Sequence, residues 1–123
     1  MTITNKQKEN KIYDLEERTL EFAKKTINIC RKLPKEIINS QLIAQIIRSS
    51  GSVGANYREA NEALSKKDFS HRMKITRKEC KETSYWLELL KQASGNFNDG
   101  IISLSKESNE LRNIFTSIIN KTK

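Results

Sequence analysis

The sequence has few of the residues that build turns, disulfides and metal sites. It contains one proline, four glycines, two cysteines and one histidine among 123 residues. So little proline and glycine argues against a sheet of many strands, because strands need turns to connect them. A ferritin-like di-metal site needs a Glu-x-x-His motif on each of two helices, whereas the single histidine, His71, follows Asp68. We therefore expect no metal, no cofactor and no enzymatic activity.

Long apolar runs are absent as well. The longest, such as residues 43–47, are far shorter than the ~20 residues that cross a bilayer. The first residues, "MTITNKQKENK", are polar and lack the apolar segment of a secretory signal. These features predict a cytoplasmic protein without a membrane partner. Cys30 and Cys80 fall within apolar helical stripes, where free thiols behave as small hydrophobic side chains.

Acidic side chains are in the minority. The chain has 23 Lys and Arg against 15 Asp and Glu, which gives a formal net charge of +8. Residues 65–95 alone carry 8 basic and 4 acidic side chains, so this segment holds +4 of the total. A basic balance of this kind favours a polyanionic partner such as nucleic acid.

Apolar residues recur at three- and four-residue steps in four segments, a pattern typical of amphipathic helices. The predicted helices cover about residues 12–33, 40–63, 66–94 and 101–120. Residues 1–11 are predicted to form a flexible tail. Four helices joined by short connections favour one all-α domain over residues 12–120, an antiparallel up-down four-helix bundle.

Several residues mark the predicted helix ends. Pro34 ends the first helix, because the residue before a proline is pushed away from helical geometry. Asn39 or Ser40 is expected to cap the second helix. Ser65 followed by Asp68 resembles a capping box and predicts the start of the third.

The segment "SSGSVGANYREANEA", residues 49–63, begins with unusually small side chains over residues 49–55. Its GxxG could form a nucleotide-clamping KH loop, but no segment alternates with the two-residue period of the strands that loop requires. A Walker phosphate loop would need GxxxxGK followed by Ser or Thr, which is absent. We predict a continuous helix, with one face that runs from Leu42 to Leu64. Its small residues either let a neighbouring helix approach the backbone closely or allow the helix to kink. The small positions are Gly51, Ser52, Gly54 and Ala55.

Polar residues follow the small ones. Asn56 and Glu59 are predicted to form hydrogen bonds inside the bundle, and Arg58 to pair with Glu62 one turn later. On the third helix, two further carboxylates are expected near the boundary of the core, Glu79 and Glu82. We interpret all four polar positions, Asn56, Glu59, Glu79 and Glu82, as structural.

The third helix also carries a row of basic residues opposite its apolar stripe. We name this row the basic ridge; its spacing follows steps of four and three residues through Lys67, His71, Lys74, Lys78 and Lys81. Arg77 lies beside it, and Lys66 and Arg72 flank it. Lysine and arginine on one face can neutralise several phosphates of a nucleic acid. The alternative is an ordinary solvated helix face.

Residues 52–90, "SVGANYREANEALSKKDFSHRMKITRKECKETSYWLELL", resemble the four-helix bundle proteins encoded in intervening sequences of bacterial 23S ribosomal RNA genes. The usual core of that family reads roughly S-I-x-x-N-I-A-E-G. Ser52, Asn56 and Glu59 match it. The commoner Ile, Ile and Gly are replaced by Val53, Tyr57 and Ala60.

The resemblance implies a cytoplasmic bacterial protein that assembles as a ring-shaped homopentamer. Similar bundles are accessory subunits of diversity-generating retroelements, which implies RNA, DNA or a reverse transcriptase as partner. Our leading hypothesis is a non-enzymatic oligomeric bundle that binds nucleic acid through the basic ridge. The alternative is a structural or adaptor protein that binds another protein, such as a reverse transcriptase, and no nucleic acid.

Overall fold

The structure, a computed structural model, describes residues 5–95 and 98–122, with side chains from residue 15 onward. The described chain contains no β-strand and consists of four helices: α1 (Asn5–Arg31), α2 (Ile37–Asn61), α3 (Lys66–Ala93) and α4 (Asp99–Lys121). The all-α four-helix class predicted from periodicity is therefore confirmed. α1 begins before residue 12, so helix covers residues 5–11 of the predicted tail, and residues 1–4 lie outside the described residues.

The helix starts depend on single side chains. Ser65 caps α3 as predicted, because its hydroxyl accepts a hydrogen bond from the Asp68 amide at 3.0 Å. The predicted cap of α2 is wrong. Glu36 caps this helix, and its Oε1 accepts from the Asn39 amide at 2.6 Å. The Asn39 side chain is used elsewhere, since its Nδ2 donates to the Pro34 carbonyl oxygen at 3.0 Å.

One stripe of each helix meets the others in a shared core. Its large, fully buried side chains include Phe22, Ile46, Met73, Leu87, Leu111 and Phe115. The predicted stripes are buried along most of their length. Leu64 is the exception, because α2 ends at Asn61 and leaves this side chain 98% exposed. Both cysteines are buried free thiols, and burial raises the pKa of each to about 11.

Each helix packs against its neighbours in sequence, and α1 closes the bundle by packing on α4. α2 and α3 share the largest interface, and α1 and α4 the smallest. The backbones of the diagonal pairs, α1 with α3 and α2 with α4, stay apart along the described chain. Their side chains still meet in the core, where the rings of Tyr57 and Phe115 stack with centroids 6.1 Å apart.

Residues 49–61, which include all the small positions, are an uninterrupted part of α2 and form no loop. Close packing occurs at Gly54, where a Cβ would lie 3.1 Å from Thr19 Oγ1 of α1. Close packing predicted at Gly51 and Ala55 is wrong within this chain, because both residues face outward and a Cβ on Gly51 would contact nothing within 4 Å. Ser52 is half-buried, and its hydroxyl donates to the Arg48 carbonyl oxygen at 2.9 Å.

Candidate nucleic-acid interface

The basic ridge lies on the outer face of α3. Its five members are all exposed, while Met73, Thr76 and Cys80 on the opposite face are buried. Helical geometry causes this separation, because each residue turns the helix by about 100° and steps of three or four return to the same face. Lys66 is also exposed, and Arg77 is half-buried beside the ridge. The structure therefore brings most of the predicted cations onto one surface.

Arg72 differs from the other predicted cations because it has a carboxylate partner. It is half-buried, and its Nε lies 3.6 Å from Asp68 Oδ1. The remaining predicted cations lie farther than 4 Å from every carboxylate among the described residues; they are Lys66, Lys67, Lys74, Arg77, Lys78 and Lys81. These six cations are therefore available to an anionic partner.

Three arginines of α1 and α2 are engaged with carboxylates: Arg18, Arg48 and Arg58. Arg18 donates from Nε and Nη2 to the two carboxylate oxygens of Glu107, at 2.8 and 2.7 Å. Arg58 Nη1 lies 3.4 Å from Glu16 Oε1 across the α1–α2 interface. The predicted pair of Arg58 with Glu62 is therefore wrong. Four cations near the end of α1 also have no carboxylate within 4 Å among the described residues: Lys25, Arg31, Lys32 and Lys35. The ridge differs from these because its cations form one continuous row along a single helix face.

Two open hollows along the α3–α4 boundary widen the basic surface, and we name them together the α3–α4 groove. The hollow near the start of α3 measures about 560 Å³ and is lined by Lys66, Lys67, Ser70, His71, Lys74 and Thr122. The second, farther along α3, measures about 280 Å³ and is lined by Lys81, Ser84, Tyr85, Glu88, Ser105, Asn109 and Arg112. Tyr85 and Arg112 were not among the residues predicted for this surface. Tyr85 follows Lys78 by seven residues and so continues the ridge, but nothing in the local sequence places Arg112 of α4 beside it.

Glu79 and Glu82 are half-buried at the boundary of the core, as expected, and both face α2. Arg48 reaches both: its Nη2 lies 2.6 Å from Glu82 Oε1 and its Nη1 lies 3.5 Å from Glu79 Oε2. The Glu79 side chain is only 14% exposed, and burial together with the nearby Glu82 charge raises its pKa. The hydrogen bond from Arg48 lowers the pKa of Glu82. Both carboxylates thus fasten α3 to α2 on the side away from the α3–α4 groove.

Comparison with known proteins agrees with this architecture. The sequence profile of the 23S rRNA-intervening sequence protein family matches residues 9–117. The chain belongs to this family. A crystal structure from Bacteroides thetaiotaomicron, described as a protein of unknown function from the S23 ribosomal protein family, is similar with a TM-score of 0.75 and 36% identity. The match covers 85% of this chain and 97% of that one. No curated protein sequence matches this chain.

The residues that match the core pattern of the 23S rRNA-intervening sequence family have local roles in α2. Asn56 is half-buried, and its Nδ2 donates to the Ser52 carbonyl oxygen one turn earlier, at 2.8 Å. Glu59, predicted to bond inside the bundle, is exposed instead. The phase of α2 explains this difference, because Tyr57 and Ala60 occupy its buried face.

The described chain holds no group of three or more His, Cys, Asp or Glu side chains that could ligate a metal ion. No helix in that part of the protein is long and apolar enough to span a membrane.

Proposed function

We propose that this member of the family is a non-enzymatic helical bundle that binds nucleic acid, RNA or DNA, through the basic ridge and the adjoining α3–α4 groove. The observation that carries the proposal is the row of exposed cations on α3 without carboxylate partners. An ordinary solvated face usually mixes both signs of charge. Here the exposed ridge is basic from Lys67 to Lys81. The nearest cation with a carboxylate partner is Arg72, which flanks the ridge and pairs with Asp68.

Binding of this kind is dominated by release of counterions from the phosphates. Each neutralised phosphate contributes about 0.7 to the slope of log affinity against log salt for a single strand, and about 0.9 for duplex DNA. Several ridge cations acting together would therefore give affinity that falls steeply with added salt. Contacts of lysine and arginine with phosphates carry no sequence information, so low sequence preference is expected along the ridge itself.

The decisive experiment compares two triple variants with the same net charge. Lys74→Glu, Lys78→Glu and Lys81→Glu together reverse the ridge, and Lys25→Glu, Lys32→Glu and Lys35→Glu reverse exposed lysines elsewhere. Each triple lowers the formal net charge by six, from +8 to +2. We expect fluorescence anisotropy with labelled RNA at low salt to show loss of binding in the ridge variant only. Equal losses in both variants would remove the ridge from the proposal and leave only a net-charge effect.

We further infer that neighbouring helices run antiparallel. Glu16 of α1 contacts Arg58 of α2, whereas Thr19, farther along α1, contacts Gly54, which lies earlier in α2. The α3–α4 groove supports the same direction, since Lys74 lies near Thr122 and Tyr85 near Ser105. These contacts are the ones that an up-down bundle would make.

Self-association is the second part of the proposal, and the outer face of α2 supports it. This face carries apolar or small side chains at helical spacing: Ile37, Ala44, Ile47, Gly51 and Ala55. Ile37 is 77% exposed in the single chain. Small residues at Gly51 and Ala55 would let a second copy approach the α2 backbone closely. The family resemblance implies that the resulting assembly is a homopentameric ring.

Light scattering of the purified protein tests self-association. Wild type is expected to be an oligomer, and Ile37→Glu with Ile47→Glu is expected to dissociate it. Leu64→Glu with Ile102→Glu is the matched control, because both side chains are exposed but lie off this face. A monomeric wild type would refute the proposal.

A protein partner is the alternative function, because the α2 face could equally bind another protein, such as a reverse transcriptase. An intact, folded oligomer that binds no RNA or DNA at low salt would favour this alternative over nucleic-acid binding.

A further inference from the structure

Tyr85 is an exposed aromatic residue at the end of the basic ridge. The residue is 59% exposed, which leaves part of the ring open to solvent. The ring is held from one side by Trp86, whose ring meets it edge-on with centroids 5.2 Å apart. Trp86 is itself packed against the core. Tyr85 is thus a supported, outward-facing aromatic platform.

The groove beside Tyr85 has the groups that a nucleotide would need. Lys81 and Arg112 contribute positive charge from α3 and α4, and neither is within 4 Å of a carboxylate in the described chain. Glu88 and Asn109 supply a carboxylate and an amide to the same groove. Its volume of about 280 Å³ lies at the small end of ligand sites, which suits one base better than a large ligand.

We propose that this part of the α3–α4 groove binds one unpaired nucleobase, stacked on Tyr85, with the adjacent phosphates on Lys81 and Arg112. The inference rests on the proposed nucleic-acid binding and narrows it to single-stranded partners. In a duplex each base is covered above and below by its neighbours, so an aromatic side chain has no base face to stack on. Single-strand binding proteins use the same combination of a basic groove and an aromatic platform.

Glu88 adds a second feature to the proposed site. Its carboxylate would repel a phosphate, so the backbone of the strand lies toward Lys81 and Arg112 and the base edge lies toward Glu88. A carboxylate accepts hydrogen bonds from amino groups such as N4 of cytosine, whereas uracil presents a carbonyl oxygen at that position. The site therefore favours cytosine over uracil.

The first test measures anisotropy of a labelled single-stranded oligonucleotide and of the duplex of the same sequence. Tyr85→Ala is expected to weaken single-strand binding by at least about fivefold, since stacking on an aromatic side chain contributes ~1–3 kcal/mol per base. Tyr85→Phe keeps the ring and is expected to bind as wild type. Leu64→Ala removes an exposed apolar side chain outside the groove and serves as the control. Duplex binding is expected to be unchanged in all three.

Two further measurements test contact with Tyr85 and the preference for cytosine. Trp86 is the only tryptophan, so its fluorescence reports on the neighbouring ring; single strands are expected to quench it in wild type and not in Tyr85→Ala. Oligocytidine is expected to bind more tightly than oligouridine, and Glu88→Ala is expected to abolish that difference.

The outcomes separate this inference from the broader proposal. If wild type binds nucleic acid through the ridge lysines but Tyr85→Ala binds single strands unchanged, the stacking site is refuted and ridge binding stands. If wild type binds neither strand form at low salt, the proposed function itself fails.

Discussion

Gly54 lies directly against Thr19, and this contact sets the distance between α2 and α1. A Cβ at Gly54 would come within 3.1 Å of Thr19 Oγ1, which is already held by a hydrogen bond to the Leu15 carbonyl oxygen at 2.7 Å. Thr19 is fully buried, so it has little room to move. The close approach of the first two helices therefore depends on one missing methyl group.

The two glycines of α2 are expected to respond oppositely to alanine. In the single chain Gly51→Ala adds a methyl group in open space, so in the Ile37→Glu, Ile47→Glu background, which is expected to be monomeric, it should stabilise the protein by up to about 1 kcal/mol, the usual gain of alanine over glycine in a helix. Gly54→Ala has the same intrinsic gain, but displacement of Thr19 should offset or exceed it and give net destabilisation. Urea unfolding of both variants measures the difference. Equal stabilisation by both would show that the α1–α2 contact is not tight.

The bidentate pair of Arg18 and Glu107 is expected to contribute to stability because it joins α1 to α4 across the smallest interface of the bundle. Glu107→Gln should lower the free energy of unfolding by about 1 kcal/mol at neutral pH. Glu110→Gln is the control, since Glu110 makes one longer contact with Arg18 at 3.3 Å and is more exposed. We expect little change from that variant.

The same pair predicts a pH dependence. The hydrogen bond from Arg18 lowers the pKa of Glu107 below its ordinary value of 4.5, so the stabilisation is present above pH 4.5 and is lost as pH falls through the lowered value. The difference in unfolding free energy between wild type and Glu107→Gln should therefore shrink as the solution is acidified below pH 4.5. A difference that stays constant down to pH 3 would contradict this assignment.

The capping of α2 by Glu36 can be tested by substitution. Glu36→Ala should destabilise the protein by about 1 kcal/mol, because the Asn39 amide loses its acceptor. Ser40→Ala should have little effect, although serine is the commoner capping residue. Thermal unfolding of the two variants distinguishes them, and a larger loss from Ser40→Ala would mean that α2 starts later in solution.

Both thiols are expected to be inert in the folded protein. Cys30 and Cys80 are buried, and a pKa of about 11 leaves very little thiolate at pH 8. Ellman's reagent at pH 8 should react slowly with native protein and rapidly with both thiols in denaturant. Fast reaction of either cysteine in the native state would indicate local opening of the core.

Much of the fold follows from local sequence. The buried stripe of α3, from Met73 through Cys80 to Leu90, was predictable because helical periodicity alone assigns residues to one face. The capping of α3 by Ser65 was also predictable, since donor and acceptor lie three residues apart. The basic ridge needed nothing more than the same periodicity applied to charged residues.

Contacts between helices depend on information that no single helix contains. Arg58 pairs with Glu16 of α1 although Glu62 was one turn away, because the packing of α1 on α2 brings the Glu16 carboxylate within reach. For the same reason Gly54 meets a neighbour and Gly51 does not, although both lie in the same helix. Periodicity predicts which faces are apolar or charged, but the relative positions of the helices decide which residues meet. The packing of α4 on α3 places Arg112 in one groove with Lys81 and Tyr85.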